Sequence, residues 1–141
     1  MNKEGSFLKF IRLYQFLYKK KLKAPGKFLA LVHKIVFSCD IPPSCELGTG
    51  TKFPHFALGV VLHPRCKIGN NTTIYQHVTI GSRNGLGPPI IGNDVLIGSG
   101  AVIIGDIVIG NNVNIGANSV VTKSIPDNST VVGIPGKIVQ N

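Results

Sequence analysis

From Ile41 to Val121 an apolar, mostly branched residue returns at every sixth position, commonly followed by glycine. Ile41, Leu47 and Phe53 form one phase, Leu62, Ile68, Ile74 and Ile80 a second, and Ile91, Ile97, Ile103, Ile109, Ile115 and Val121 a third. A period of six is a multiple of the strand period of two and not of 3.6, so it suits short strands and would smear round a helix. The pattern predicts a parallel β-helix in which three hexapeptides make a triangular coil of about 18 residues, each coil stacked about 4.8 Å from the last. Four positions after most of these aliphatics lies a small or branched residue (Thr51, Thr72, Val78, Val95, Ala101, Val113, Ser119), as a second inward site near a corner requires.

The repeat slips twice, between Phe53 and Leu62 and between Ile80 and Ile91. The first break carries Pro54, His55, Gly59 and, just beyond it, His63; the second is the loop from Gly81 to Pro89. Loops on a rigid scaffold are where chemistry concentrates. The 141 residues suffice for one continuous core, and the expected division is a helical segment over 1–38 and a coil over 39–141. Cys39, Cys45 and Cys66 form an odd, unpatterned set, with Cys45 and Cys66 at small inward positions, so they read as buried free thiols of a reducing cytoplasm.

Charge is unevenly placed. Nine of the fifteen basic residues precede Asp40 against a single acid, Glu4, so this segment carries +8 of the formal +9. No nucleic-acid motif accompanies it, and none is expected as a partner. Phe7, Phe10, Ile11, Tyr14, Leu17 and Tyr18 recur at helical spacing, as do Phe28, Leu31, Val32, Ile35 and Val36 after a Pro25–Gly26 break, which predicts two amphipathic helices. No apolar run reaches the roughly 18 residues that span a bilayer. The helices are expected to cap the first coil, to contact an anionic membrane surface peripherally, or both.

From Asp40 to the C-terminus the chain resembles the hexapeptide-repeat acetyltransferases, in the branch of the serine O-acetyltransferases and the capsular and exopolysaccharide O-acetyltransferases. The resemblance rests on Asp40-Ile41-Pro42-Pro43, Phe53-Pro54-His55, Gly59 to Pro64, Ile74 to Gly81, Ile91 to Val95, and the ending Val132 to Val139. It implies an all-β fold, a left-handed parallel β-helix, assembled as a homotrimer, and acetyl transfer from acetyl-CoA to a hydroxyl. The histidine matching His55 is then the general base and the aspartate matching Asp40 orients it: neutral imidazole has nearly the right pKa to take a hydroxyl proton, and a carboxylate fixes its tautomer. His63 and His77 are possible further site histidines. Gly81, Ser82, Ser99 and Ala117 match positions lining the pantetheine groove, and Arg83, Lys123 and Lys137 are candidates for the CoA phosphates. Gamma-class carbonic anhydrases also place three histidines on a trimeric β-helix, but they carry a pair separated by four residues. His55, His63 and His77 lack that pair, and no metal is expected.

In serine acetyltransferases an aspartate precedes the catalytic histidine, and a histidine preceded by arginine ends the loop. Here Pro54, Pro88 and Gly87 take those places. These departures lead to the expectation of a saccharide acceptor in surface-polysaccharide synthesis at the cytoplasmic membrane face. Serine O-acetylation in cysteine biosynthesis and a non-catalytic assembly module are the alternatives.

Overall fold

The computed structural model describes residues 5–139; the first four residues of the expected helical segment, with Lys3 and Glu4, and the last two of the coil lie outside it. Helix α1 spans Ser6–Lys19 and helix α2 spans Lys23–Phe37. The break between them falls at Lys20–Leu22, where Lys21 takes φ 65°, and not at Pro25–Gly26. Both of those residues sit in the first turn of α2, where a missing N–H costs nothing because that donor has no intrahelical acceptor. Gly26 is there for proximity: a Cβ would lie 3.0 Å from the Tyr14 carbonyl oxygen, so the two helices meet through it.

The coil has three faces, each a parallel sheet. Face one stacks Glu46–Leu47, Lys67–Ile68, Ile90–Ile91 and Val108–Ile109. Face two stacks Thr73–Ile74, Leu96–Ile97, Asn114–Ile115 and Thr130–Val132, onto which Lys137–Val139 folds back antiparallel. Face three stacks Val61–Leu62, Thr79–Gly81, Val102–Ile104 and Val120–Val121. The chain visits the faces in rotation, so the parallel, three-faced part of the expected fold is present. Register shows where the repeat slips: Ile80 pairs with Ile103, a step of 23 residues, whereas Leu62 pairs with Ile80 and Ile103 with Val121, steps of 18.

The hexad aliphatics from Leu62 to Val121 are buried, as are Thr51, Thr72, Val78, Val95, Ala101, Val113 and Ser119. Cys45 and Cys66 share this core as free thiols with their sulfurs 2.7 Å apart; the hydrogen bond to Cys66, and then burial, push the Cys45 thiol far up. Polar side chains climb the corner between faces one and two. Asn70 Oδ1 accepts the Thr49 N–H, Asn93 Oδ1 that of Asn70, Asn111 Oδ1 that of Asn93, and Asp127 Oδ1 that of Asn111. These bonds satisfy turn donors that no strand partner reaches.

Helix α1 closes the start of the coil. Leu8, Ile11 and Tyr14 are buried with the coil's apolar residues in one core. Arg12 donates to the carbonyls of Leu47 and Gly48, each at 2.6 Å, Tyr14 Oη to that of Ile41 at 2.9 Å, and Gln15 Nε2 to that of Cys45 at 2.8 Å. Four carbonyls of the first coil thus gain side-chain donors instead of standing as an open edge.

Candidate active site

His55 stands on an unusual piece of backbone. His55, Phe56 and Ala57 take φ 55°, 54° and 54°, three left-handed residues in succession and none of them glycine. Each costs on the order of 1–2 kcal/mol, so the surroundings must hold the turn. Ala57 is buried, and the Phe56 ring stacks on Phe37 at 5.9 Å and meets Phe7 edge-on at 5.9 Å. Both helices therefore brace the turn that presents the exposed imidazole of His55. Strain of this kind concentrates at functional sites.

The segment leaving the turn lies against the start of the coil: Gly59 N–H donates to Ser38 O, Asp40 N–H to Val60 O, and Leu62 N–H to Asp40 O. Asp40 is thus one strand away from the residues that follow His55. Its Oδ2 lies 2.6 Å from Lys34 Nζ, while Oδ1 has no hydrogen-bond partner among the described residues. A cleft of about 250 Å³ beside it is lined by Lys34, Ser38, Cys39, Asp40 and Val61. Burial first, and then Asp40, push the Cys39 thiol up to about 11, so it stays protonated.

One coil above, His77 occupies the equivalent corner between faces two and three with φ 60°. A Cβ on Gly59 would fall 2.1 Å from its Nδ1, so glycine is what lets this ring lie against the segment below. Ser99 and Ala117 continue the same corner upward. Gln76, next to His77, holds a buried Oε1 with no partner among the described residues. Sequence reading missed Gln76 and the three-residue left-handed turn, because neither has a propensity signal.

The remaining candidates, Lys137 apart, lie on the other edge of face three. His63 Nδ1 accepts the Arg65 N–H at 3.1 Å, which in the neutral ring puts the proton on Nε2. Gly81 ends a strand of face three opposite Ile104. Ser82 and Arg83 begin the exposed loop to face one, and Lys123 sits at the same corner two coils on. Lys137 is exposed on the terminal antiparallel strand. Within one protomer the candidates therefore fall in two groups, with His55, His77, Ser99 and Ala117 on one edge of face three and His63, Ser82, Arg83 and Lys123 on the other.

A coil of stacked hexapeptides is the scaffold of the hexapeptide-repeat class of transferases. Residues 88–123 match the family described as bacterial transferase hexapeptide (six repeats). The serine acetyltransferase of Staphylococcus xylosus is 46% identical over 127 residues, covering 88% of this chain and 58% of that protein. Two solved structures superpose closely. Serine acetyltransferase in complex with coenzyme A from Brucella abortus strain S19 gives a TM-score of 0.89 at 36% identity, covering 94% of this chain and 54% of that one. Soybean serine acetyltransferase complexed with serine gives 0.88 at 38% identity, covering 94% and 56%. The chain belongs to the hexapeptide-repeat acyltransferase family, and these relatives lie in its serine O-acetyltransferase branch. It spans a little over half the length of the relatives it matches.

These findings overturn the saccharide acceptor and the role in polysaccharide synthesis. That expectation weighed three positions, Pro54, Gly87 and Pro88, against the branch pattern. The similarity runs through nearly the whole coil and both helices instead, and it points to serine acetyltransferases. A missing side chain removes one contact to an acceptor; it does not specify another acceptor.

Proposed function

We propose that this chain is a serine O-acetyltransferase that moves the acetyl group of acetyl-CoA to the hydroxyl of L-serine. The observation that carries the reading is the 46% identity to a serine acetyltransferase over 88% of the chain. The matched structures holding coenzyme A and serine support the two substrates. The coil winds left-handed, as the family resemblance implies.

His55 takes the proton from the serine hydroxyl as its oxygen attacks the thioester carbonyl, with Asp40 fixing the imidazole. The tetrahedral oxyanion is met by backbone N–H groups of the loop after Ile80. Collapse breaks the C–S bond, and His55 returns its proton to the departing thiolate. Ser82, Ser99 and Ala117 with Gly81 line the pantetheine arm, and Arg83, Lys123 and Lys137 face its phosphates.

The two groups of candidates on opposite edges of face three support a homotrimer: a neighbour that brings its Ser82–Arg83 corner to this chain's His55 corner assembles one site from two protomers. The three free thiols and the use of acetyl-CoA suit a cytoplasmic enzyme.

The test is thiol release from acetyl-CoA with and without L-serine. Release that requires both L-serine and His55 is expected. Acetyl-CoA turnover with no response to L-serine overturns the acceptor, and failure to bind or turn over acetyl-CoA leaves a non-catalytic module.

A further inference from the structure

Helix α2 is apolar on two opposite sides. Its inward side carries the buried Gly26 and His33, with Ala30 and Phe37 half-buried beside them. Its outward side carries Phe28, Leu31, Ile35 and Val36, which are 64%, 52%, 72% and 64% exposed. At 100° per residue Lys23, Lys27 and Lys34 fall in a row along one border of this outward stripe, and Lys19, Lys20 and Lys21 crowd the connection from α1. Residues 5–37 hold eight cations and no acid.

The stripe also runs into a groove. Val32 and Val36 form one wall of an open apolar cleft of about 360 Å³, whose other walls include Phe7, Phe10, Phe37 and Phe56. Exposed apolar area of this kind normally marks a contact, and the cationic border selects the partner. A second copy would bring Lys19, Lys20, Lys21, Lys23 and Lys27 against the same five lysines, which opposes pairing through this face. An anionic lipid surface complements it, because lysine heads meet phosphates while the aromatic and branched side chains enter the interfacial layer. No helix among the described residues is long and apolar enough to cross a membrane, so the contact is a surface one.

We propose that the outward face of α2 docks the protein on an anionic membrane surface. The inference stands apart from the acceptor of the acetyl group. It places the bilayer beside the groove floor formed by Phe56, the neighbour of His55, and so sets the candidate site close to that surface.

The experiment is co-sedimentation of the full chain with phosphatidylcholine vesicles with and without phosphatidylglycerol, at low and high salt. Two variants accompany it, Leu31→Gln/Ile35→Gln and Lys20→Gln/Lys21→Gln/Lys27→Gln. All of these positions are exposed, and retention of the fold is checked by circular dichroism and acetyl-CoA binding. Expected are pelleting with the anionic vesicles alone and a fall of at least about tenfold in affinity for each variant and at high salt. The proposal is overturned if the wild type does not pellet. It is equally overturned if Leu31→Gln/Ile35→Gln pellets as well as wild type, which marks charge-only binding of the kind a nucleic acid also satisfies. A self-association that the same variant abolishes would show that a second copy covers the face, and would also overturn it.

Discussion

Lys34 Nζ lies 2.6 Å from Asp40 Oδ2, so the carboxylate assigned to orient His55 is also the point where the last turn of α2 is tied to the coil. The side chains are 54% and 41% exposed, and an ion pair so open to solvent contributes at most about 1 kcal/mol. The contact positions more than it stabilises.

The same pair divides the roles by mutation. His55→Ala is expected to lower kcat by about 10² to 10⁴, the usual loss for a positioned base, with the melting temperature nearly unchanged because the ring is exposed. Asp40→Asn should cost less than His55→Ala, since a carboxamide keeps the shape and loses the charge. Lys34→Met should change stability by less than about 1 kcal/mol and leave turnover within a few-fold. Steady-state kinetics and thermal unfolding of the three variants decide this; near-normal turnover in His55→Ala would remove the histidine from the mechanism.

The coil was legible because burial chemistry repeats: Ile97, Ile103, Ile109 and Ile115 all point into the core, and a six-residue period fits no helix. What stayed hidden depends on long-range contacts. Nothing in His-Phe-Ala announces three left-handed residues in succession; the packing of Phe56 on Phe7 and Phe37 and the burial of Ala57 brace the turn. Pro25–Gly26 reads as a break by propensity, yet Gly26 allows two helices to touch. The pairing of Lys34 with Asp40 has no sequence signal until α2 is set against the coil. The acceptor is not legible for a different reason: three departures in two loops carry less information than agreement along the scaffold.

Gly59 and His77 form a second testable relationship. Gly59 has φ 68°, and a Cβ there would lie 2.1 Å from His77 Nδ1. Gly59→Ala is therefore expected to destabilise by about 1–3 kcal/mol, from the left-handed backbone and the displaced ring together. His77→Ala should relieve the second part only, so the double variant should be more stable than the sum of the single changes allows. Strict additivity in denaturant unfolding would show that the ring moves aside without cost. If activity falls with the ring's displacement in Gly59→Ala, and falls alike in His77→Ala, His77 belongs to the site.

His33 supplies the pH dependence. It is 1% exposed, surrounded by the rings of Phe7, Phe10, Tyr14 and Phe37, and its Nδ1 lies 3.5 Å from Cys39 Sγ while Nε2 has no partner among the described residues. Burial lowers its pKa from 6.5 to about 4. The unfolded chain then binds the proton first, so stability is complete above about pH 6.5 and declines as pH falls towards 4. The loss integrates to about 3 kcal/mol at most. Replacing the imidazole with a ring that cannot be protonated removes this slope: His33→Phe should match or fall slightly below wild type at neutral pH and overtake it near pH 4. Urea unfolding of both proteins across this range provides the measurement. Parallel curves would show that His33 is protonated in the folded state as readily as in water, against the aromatic enclosure that α1 and α2 build round it.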